Sequence, residues 1–335
     1  MTSPPAGSGP ERTRPPSADA NPCLAGPVGI VGLGLIGGSL GLDLQRLGVE
    51  VRGLVHRRAT AERAQARGLA QRVSTDPQLL ADCGLVVLAL PLDRLLDPDP
   101  ALVAALPAQA VVTDVGSVKQ PVLERWQALH PRFVASHPMA GTAQAGVEAG
   151  VLQLFRGRPW VATPTDATDP AALRQVEALA AAVGARWLCC GATEHDRAVA
   201  LISHLPVLVS AALIKTADCQ AAADPQGQLP ALVRQLASSG FADTSRVGGG
   251  NPELGTLMAR CNQAALRQAL AGYRRCLDAL ESELEQGDWP ALQALLAQTQ
   301  QLRPQFLATA QALTPAPAPA PAPPAAGDST SGPTG

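Results

Sequence analysis

The chain has 335 residues, a formal net charge of −2 at pH 7 and 46% hydrophobic residues, which is enough for two domains with separate cores. The balanced charge excludes a basic surface for nucleic acid, and no apolar run approaches the roughly 18 residues of a membrane span, so we expect neither partner. Seven cysteines, an odd number without a C-x-x-C pair, predict reduced thiols in a cytoplasmic protein rather than disulfides or a metal site.

The first predicted element is a buried strand, 28–31, that runs into a glycine-rich turn. Gly32, Gly34 and Gly37 form the pattern G-x-G-x-x-G, and leucines at helical spacing follow as far as Leu47. In a dinucleotide-binding fold these glycines make the tight turn, admit a pyrophosphate and let helix and strand pack closely. The context of strand, turn and helix therefore predicts a Rossmann-type start.

Alternating strands and helices continue to about residue 190. The run 85–90 is apolar throughout, which is typical of a strand covered on both faces in a parallel sheet. The pattern predicts an α/β fold with a doubly wound parallel sheet. Further strands are predicted at 50–55, 71–74, 110–115, 133–138, 160–163 and 186–190, and helices at 60–66 and 170–183.

No further strand is evident after Thr193, which we expect to cap a helix over 194–216 with a kink at Pro206. In the longest predicted helix, 263–285, leucines recur at spacings of three and four, which predicts either the core of a helical bundle or a subunit interface. Other helices are predicted at 229–238, 252–260 and 290–307, the last capped by Asp288.

These elements divide the chain into four parts. We expect a disordered tail at 1–27, a dinucleotide-binding domain at 28–191, an all-α dimerisation and substrate domain at 192–312, and a disordered Pro/Ala-rich tail at 313–335.

Ligands of an open parallel sheet bind at the carboxyl ends of its strands. That rule selects Leu90 and Pro91, the turn that begins at Asp114, and the segment 136–141. Within that last segment, His137 is a group that exchanges a proton near neutral pH. On the residues alone, a histidine that only ends a strand is an equally good interpretation of His137.

Other polar residues have two interpretations each. His204 lies in an apolar helix, where a core histidine is the default. Arg246 lies in a glycine-rich stretch, predicted as a loop, and suits either bidentate capture of a carboxylate or simple solvation. Ser117 is equally explained as a turn residue, and His195 and Asp196 as residues in the first turn of a helix.

Five segments together carry a family resemblance. GLGLIGGS (32–39), TDVGSVK (113–119), SHPMAGT (136–142), EHDRAVALISHLP (194–206) and SGFADTSRVGGGNPELGTLM (239–258) occur in the order and spacing of the prephenate/arogenate dehydrogenase family. The chain is identified as a member of this family over about residues 28–310, and it most resembles the cyanobacterial, arogenate-using group. SHPMAG and SHLP are the specific motifs.

The resemblance implies a homodimer through the helical domain that carries out an oxidative decarboxylation. Hydride leaves C4 of a cyclohexadienol for the nicotinamide, the 4-hydroxyl proton goes to a histidine matched by His137, and carbon dioxide leaves as the ring becomes aromatic. Ser117 matches a serine that helps hold the hydroxyl. His204 and Arg246 match side chains at the substrate, the arginine pairing with a carboxylate. We expect no metal and no covalent nucleophile.

The substrate is a small molecule, arogenate or prephenate. HPMAGT and DTSRVGGGNPE favour arogenate, whose product is tyrosine, and Asp243 is expected to meet its amino group. Thr142 is also expected at the substrate. Many prephenate-type members have an acidic residue where this chain has Ala143 and a histidine where it has Val207. Prephenate therefore remains the alternative substrate.

The cofactor is expected to be NADP. An NAD site normally has an acidic residue at the end of the second strand, and this chain has His56, Arg57 and Arg58 there, which suit a 2′-phosphate. The expected cofactor contacts are Gly32, Gly34, Leu35, Ile36, Gly37, His56, Arg57, Arg58, Leu90, Pro91 and Asp114.

Two other classes of function share this domain plan. A β-hydroxyacid or 6-phosphogluconate-type dehydrogenase uses a lysine on the long helix of its second domain, where this chain offers Lys215 without the accompanying motif. A catalytically silent nucleotide-sensing dimer predicts loss of His137, Ser117 and Arg246, and all three are present.

Overall fold

The structure is a computed structural model that describes residues 26–142 and 144–311, with side chains described as far as residue 307. Ala143 and almost all of the two predicted tails, 1–27 and 313–335, lie outside the described residues.

The N-terminal half contains a six-stranded parallel sheet with the strand order β3-β2-β1-β4-β5-β6. Central strands β1, β4 and β5 are buried along their whole length, as the unbroken apolar run at 85–90 predicts for β4. This order is that of a Rossmann sheet and confirms the predicted fold class. Its elements are β1 (Val28–Val31), α1 (Leu35–Arg46), β2 (Val51–Leu54), α2 (Arg58–Ala66), β3 (Arg72–Ser74), β4 (Leu85–Leu88), α3 (Leu92–Leu96), α4 (Pro100–Ala105), β5 (Val111–Asp114), α5 (Gln120–Gln127) and β6 (Phe133–Val134).

A second, three-stranded sheet completes this half. It consists of β7 (Ser136–Pro138), β8 (Pro159–Ala162) and β9 (Arg186–Cys189), with α6 (Pro170–Ala182) between the last two strands. β7 is antiparallel to β8, and β8 is parallel to β9. The strand and exit predicted over 133–138 are therefore two short strands in different sheets, because the chain leaves the first sheet after Val134. The N–H of Ser136 donates to the carboxylate of Asp114 at 3.1 Å instead of continuing beside β5.

The C-terminal half is helical in the described residues, as predicted. Thr193 does not cap its first helix, since Gly191 precedes that helix and the Thr193 hydroxyl donates to Gln120 at 3.2 Å. Asp288 does cap the last helix, accepting the N–H of Ala291 at 3.0 Å. The helices are α7 (Ala192–Val199), α8 (Leu205–Ala222), α9 (Leu229–Leu236), α10 (Ser239–Ser245), α11 (Pro252–Cys261), α12 (Gln263–Gln286) and α13 (Trp289–Gln311).

Two features of this half differ from the prediction. The expected kink at Pro206 is a π-helical turn, Ala200–His204, that widens the helix just before the proline. Proline lacks an N–H and crowds the carbonyl four residues earlier, and a wider turn relieves both problems. The segment predicted as a glycine-rich loop contains α10 and, from Arg246, a short 3₁₀ turn.

The helical stretch Ala192–Ala222 is long and apolar enough, by length and composition alone, to cross a membrane. This stretch was not predicted from the sequence, because His204 and Pro206 interrupt the apolar run. Core helices of soluble proteins pass the same test. At its start, His195 and Asp196 are 3% and 5% exposed and hydrogen-bond to the dinucleotide half, so this end is an interface between the two halves.

Candidate active site

The glycine-rich turn between β1 and α1 is shaped for a phosphate. Gly32 has φ +93°, and a Cβ atom there would lie 2.4 Å from the carbonyl oxygen of Ala89. A Cβ at Gly37 would lie 1.9 Å from the carbonyl oxygen of Gly32. At Gly34, which directly precedes α1, a Cβ would meet no atom within 4 Å. The turn is therefore tightly packed at Gly32 and Gly37. It leaves open space at Gly34, next to the N-terminus of α1, which fits a dinucleotide pyrophosphate.

The other predicted cofactor residues lie around this turn. Leu35 and Ile36 open α1 and are partly buried, and the side chain of Leu90 lies 3.6 Å from the position of a Cβ on Gly32. Pro91, the next residue, is exposed.

At the end of β2, His56, Arg57 and Arg58 are exposed side by side where α2 begins. Arg58 pairs with Glu62 at 3.2 Å on the surface of α2. The segment thus offers cationic groups beside a helix N-terminus, an arrangement suited to a phosphate.

Asp114, the remaining predicted cofactor residue, ends β5. Its side chain is fully buried and pairs with the equally buried ammonium of Lys119. It also accepts the N–H groups of Gly116, at 2.8 Å, and Ser136, at 3.1 Å. The side chain of Asp114 is therefore turned into the protein, away from solvent. It holds the turn after β5 in place, the turn on which the partly buried Ser117 lies.

The same ion pair fixes the backbone before His137. Lys119 Nζ donates to the carbonyl oxygen of Ser136 at 2.9 Å. The hydroxyl of Ser136 donates to the carbonyl oxygen of Asp114 at 2.9 Å and accepts from the indole of Trp160 at 3.0 Å. His137 thus follows Ser136, whose N–H, carbonyl oxygen and hydroxyl are all hydrogen-bonded, next to the carboxyl end of β5.

His137 is the first member of a row of hydrogen bonds. Its Nδ1 lies 2.9 Å from Nε2 of His195, and Nδ1 of His195 lies 2.8 Å from Oδ1 of Asp196. The carboxylate of Asp196 accepts the N–H groups of Lys119, at 2.7 Å, and Gln120, at 2.9 Å, at the start of α5. The helical half therefore holds the ring of His137 against the dinucleotide half.

A second histidine is tied to the same point. The side-chain amide of Asn262 donates to the carbonyl oxygen of Asp196 at 2.7 Å and lies 3.1 Å from Nδ1 of His204. His204 is 0% exposed, and its Nε2 has no hydrogen-bond partner among the described residues. A buried polar atom of this kind is costly and is often explained by a ligand.

Burial keeps both histidines neutral near pH 7. It lowers the pKa of His137 well below its usual range, with a further decrease from the positive charges that His195, Lys119 and His204 can bring. Burial lowers the pKa of His204 to about 4, against the opposing effect of Asp196. A neutral imidazole has a free ring nitrogen that can accept a proton.

Comparison with known proteins gives the family. Residues 40–189 match the model described as prephenate dehydrogenase, nucleotide-binding domain, and residues 191–298 match the model described as prephenate dehydrogenase, dimerization domain. The Synechocystis arogenate dehydrogenase structure is 42% identical over 84% of this chain and 99% of that chain, with a TM-score of 0.72. The chain belongs to the prephenate dehydrogenase family.

Two further relatives support the assignment to this family. The Aquifex aeolicus prephenate dehydrogenase structure, in complex with hydroxyphenyl propionate and NAD⁺, is 27% identical over 84% of this chain and 98% of that chain, with a TM-score of 0.77. The cyclohexadienyl dehydrogenase of Zymomonas mobilis is 29% identical over 82% of this chain and 94% of its own length. As a member of this family the protein is an oxidoreductase, and a nicotinamide dinucleotide is its cofactor.

Within the described part of the prephenate dehydrogenase fold, three predicted substrate residues are not hydrogen-bonded to the histidine row. Arg246 and Asp243 are exposed at the end of α10, and Thr142 is exposed beyond β7. Among the described residues, none of these three forms a hydrogen bond with His137 or His204. The turn after Arg246 packs against α8, where a Cβ on Gly248 would lie 2.5 Å from the backbone nitrogen of Ala211.

Asn262 was not predicted from the sequence, and His195 and Asp196 were interpreted as ordinary helix residues. A signal for the last two was present, because a histidine and an aspartate stand at the start of an apolar helix in a segment that carries the family resemblance. Asn262 follows α11 and gives no such signal, since its partners are 58 and 66 residues away in the sequence.

Proposed function

We propose that the protein catalyses the oxidative decarboxylation of L-arogenate to L-tyrosine, with NADP as cofactor. The observation that carries the proposal is the row from His137 through His195 to Asp196, because it holds a neutral imidazole at the edge of the dinucleotide fold. The 42% identity to an arogenate dehydrogenase, against 27% to the Aquifex prephenate dehydrogenase, supports arogenate as the substrate.

In the proposed reaction, His137 accepts the proton of the substrate 4-hydroxyl at Nε2. Among the described residues that nitrogen has no hydrogen-bond partner, whereas Nδ1 contacts His195. When bound, the nicotinamide ring supplies the acceptor for the hydride that leaves C4. Removal of the hydroxyl proton raises the electron density at C4, and loss of carbon dioxide makes the ring aromatic. Ser117, on the turn after β5, helps hold the hydroxyl beside the histidine.

The substrate side chains are proposed to come from the helical half. His204 presents Nε2 to a substrate oxygen, Arg246 pairs with a carboxylate, and Asp243 meets the amino group that distinguishes arogenate from prephenate. Thr142, exposed after β7, is assigned to the substrate site as part of the same proposal. Arg246 and Asp243 are exposed and therefore accessible to a ligand.

We also propose a cytoplasmic homodimer that joins through the helical half, with a domain boundary between residues 191 and 192. The helical half exposes many large apolar side chains, from 39% to 72% of their area, which a second subunit would cover. The membrane-length stretch Ala192–Ala222 is part of the matched dimerization domain, so we assign it to this interface and not to a membrane. The exposed apolar side chains of the helical half are Leu201, Ile202, Leu229, Leu232, Leu236, Leu254, Leu277, Leu284, Trp289, Leu296, Leu302 and Phe306.

One assay tests the function. The purified protein is incubated with arogenate or prephenate, each with NADP or NAD, and the absorbance of the reduced nicotinamide is followed. The expected result is the highest kcat/KM with arogenate and NADP. A higher kcat/KM with prephenate assigns the alternative substrate, and no turnover with either compound contradicts the proposed function.

A further inference from the structure

The ring of His137 presents two nitrogens that are not equivalent, and only the one that lacks a hydrogen can act as a base. We propose that Asp196, acting through His195, fixes the hydrogen of His137 on Nδ1 and so leaves Nε2 free to accept a proton. His195 and Asp196 are thus positioning residues. Their effect on turnover rests on the proposed function, whereas their effect on the tautomer does not.

The assignment starts at Asp196. A carboxylate only accepts hydrogen bonds, and this one already accepts two backbone N–H groups, from Lys119 and Gln120. Its contact with Nδ1 of His195, at 2.8 Å, therefore requires a hydrogen on that nitrogen. The start of α5 holds the carboxylate in this orientation, because its N–H groups and the helix dipole both favour a negative charge there.

The hydrogen positions then follow along the row. A neutral imidazole carries one hydrogen, so Nε2 of His195 has a lone pair and accepts. Its partner at 2.9 Å, Nδ1 of His137, must then donate. Nε2 of His137 is left without a hydrogen, which is the form that a general base needs. The backbone N–H groups of a helix in the dinucleotide half thereby select the tautomer of His137.

The surroundings favour this arrangement over its reverse. His195 is 3% exposed and Asp196 is 5% exposed, so little water reaches either side chain to offer alternative partners. The reverse arrangement would put a hydrogen on Nε2 of His195 and a lone pair on its Nδ1, facing the carboxylate. Two acceptors would then face each other without a hydrogen between them, which is unfavourable in a buried site.

Nuclear magnetic resonance of protein labelled with ¹⁵N-histidine tests the tautomer without substrate or cofactor. The chain has 5 histidines, so single His→Gln variants assign each ring. The expected result is that His137 and His195 both carry their hydrogen on Nδ1 at pH 7. In Asp196→Ala and in His195→Leu, His137 should show both tautomers. A hydrogen on Nε2 of His137 in the wild type, or an unchanged His137 tautomer in both variants, would overturn the proposal.

Kinetics give the second readout. In both variants kcat should fall several-fold, because only the fraction of His137 that still carries its hydrogen on Nδ1 is an active base, while KM for both substrates stays within a few-fold. Glu194→Gln is the matched control, since it removes an exposed carboxylate from the same helix and should change neither readout. If one variant does not fold, the wild-type spectrum and the other variant still test the tautomer of His137. A wild type with the stated tautomers but no dehydrogenase activity refutes the proposed function and leaves the tautomer assignment standing.

Discussion

The side-chain amide of Asn262 lies 3.1 Å from Nδ1 of His204 and also donates to the carbonyl oxygen of Asp196 at 2.7 Å. The second contact identifies the amide nitrogen, because a carbonyl oxygen only accepts. Nδ1 of His204 must therefore accept as well, and the hydrogen of this neutral ring lies on the buried Nε2. His204 thus presents an N–H donor, which suits a substrate oxygen and could not have been assigned from the sequence.

This burial predicts a pH-dependent stability. The pKa of His204 is about 4 in the folded protein, against about 6.5 for an unperturbed histidine. Its contribution to stability is therefore fully present above about pH 6.5 and is lost as pH falls towards 4, because only the unfolded chain takes up the proton. In denaturant unfolding between pH 7 and 4, the free energy of unfolding should fall less in His204→Gln than in the wild type.

The exposed His56 provides the control for this experiment, since His56→Gln should keep the wild-type slope. His130 and His137 also have lowered pKa values and add to the wild-type slope, so the comparison depends on the difference between variants. Equal slopes for His204→Gln and the wild type would contradict the assignment of a buried, neutral His204.

The cofactor preference is tested at Arg57, which precedes α2 and is exposed. A hydrogen bond to a charged group contributes about 1.5–3 kcal/mol, so Arg57→Ala should raise KM for NADP roughly ten- to a hundredfold and leave KM for NAD nearly unchanged. Arg94→Ala, on α3, is the control for loss of an exposed arginine. Equal efficiency of the wild type with both cofactors would count against NADP.

The sequence predicted the Rossmann sheet well because its evidence is local. The central strand β4 is a short apolar run, and Gly37 of the turn has a steric reason nearby in the sequence, its close approach to the carbonyl oxygen of Gly32. It failed where a side chain redirects the backbone, as Asp114 does when it binds the N–H of Ser136 and ends the first sheet.

For the site, strand ends and family motifs selected His137 and His204, and the fold brings both near one point, Asp196. The connection between them was not predictable, because it depends on Asn262 and on backbone N–H groups at the start of α5. Backbone groups carry no sequence signature. The inward orientation of the Asp114 side chain was not predictable for a similar reason, since only its pairing with Lys119 reveals it.

The dimer is tested on α12, where Leu277 and Leu284 are 44% and 56% exposed. If a partner covers them, the variant Leu277→Asp/Leu284→Asp places two charges in an apolar interface and should shift the protein towards monomer in sedimentation at micromolar concentration. Leu47→Asp is the control, because Leu47 is 53% exposed in the dinucleotide half and should leave the dimer intact. A wild type that sediments as a fully active monomer would rule the dimer out.

Substrate choice is tested at Asp243, an exposed carboxylate on α10. If it meets the ammonium group of arogenate, Asp243→Asn removes a charge-assisted bond and should lower kcat/KM for arogenate roughly tenfold or more, while that for prephenate changes little. Asp278→Asn, an exposed aspartate on α12, should change neither value. An equal loss of kcat/KM with both substrates would show that Asp243 does not bind the amino group of arogenate.

The general base is tested at His137. His137→Asn keeps a polar side chain but removes the ring nitrogen that takes the hydroxyl proton, so kcat should fall about 10²- to 10⁴-fold, while NADP binding should be unchanged. In the wild type, activity should decline as pH falls through the pKa of His137, because only the neutral ring is a base. Burial places that pKa well below the usual range, so the decline should begin at a lower pH than for an ordinary histidine.

His130→Asn is the control, since His130 is 5% exposed and bonds to the backbone oxygen of Pro107 away from this row. It should cost stability and leave turnover and the pH profile unchanged. A folded His137→Asn protein that binds NADP normally and turns over within a few-fold of the wild type would refute the mechanism.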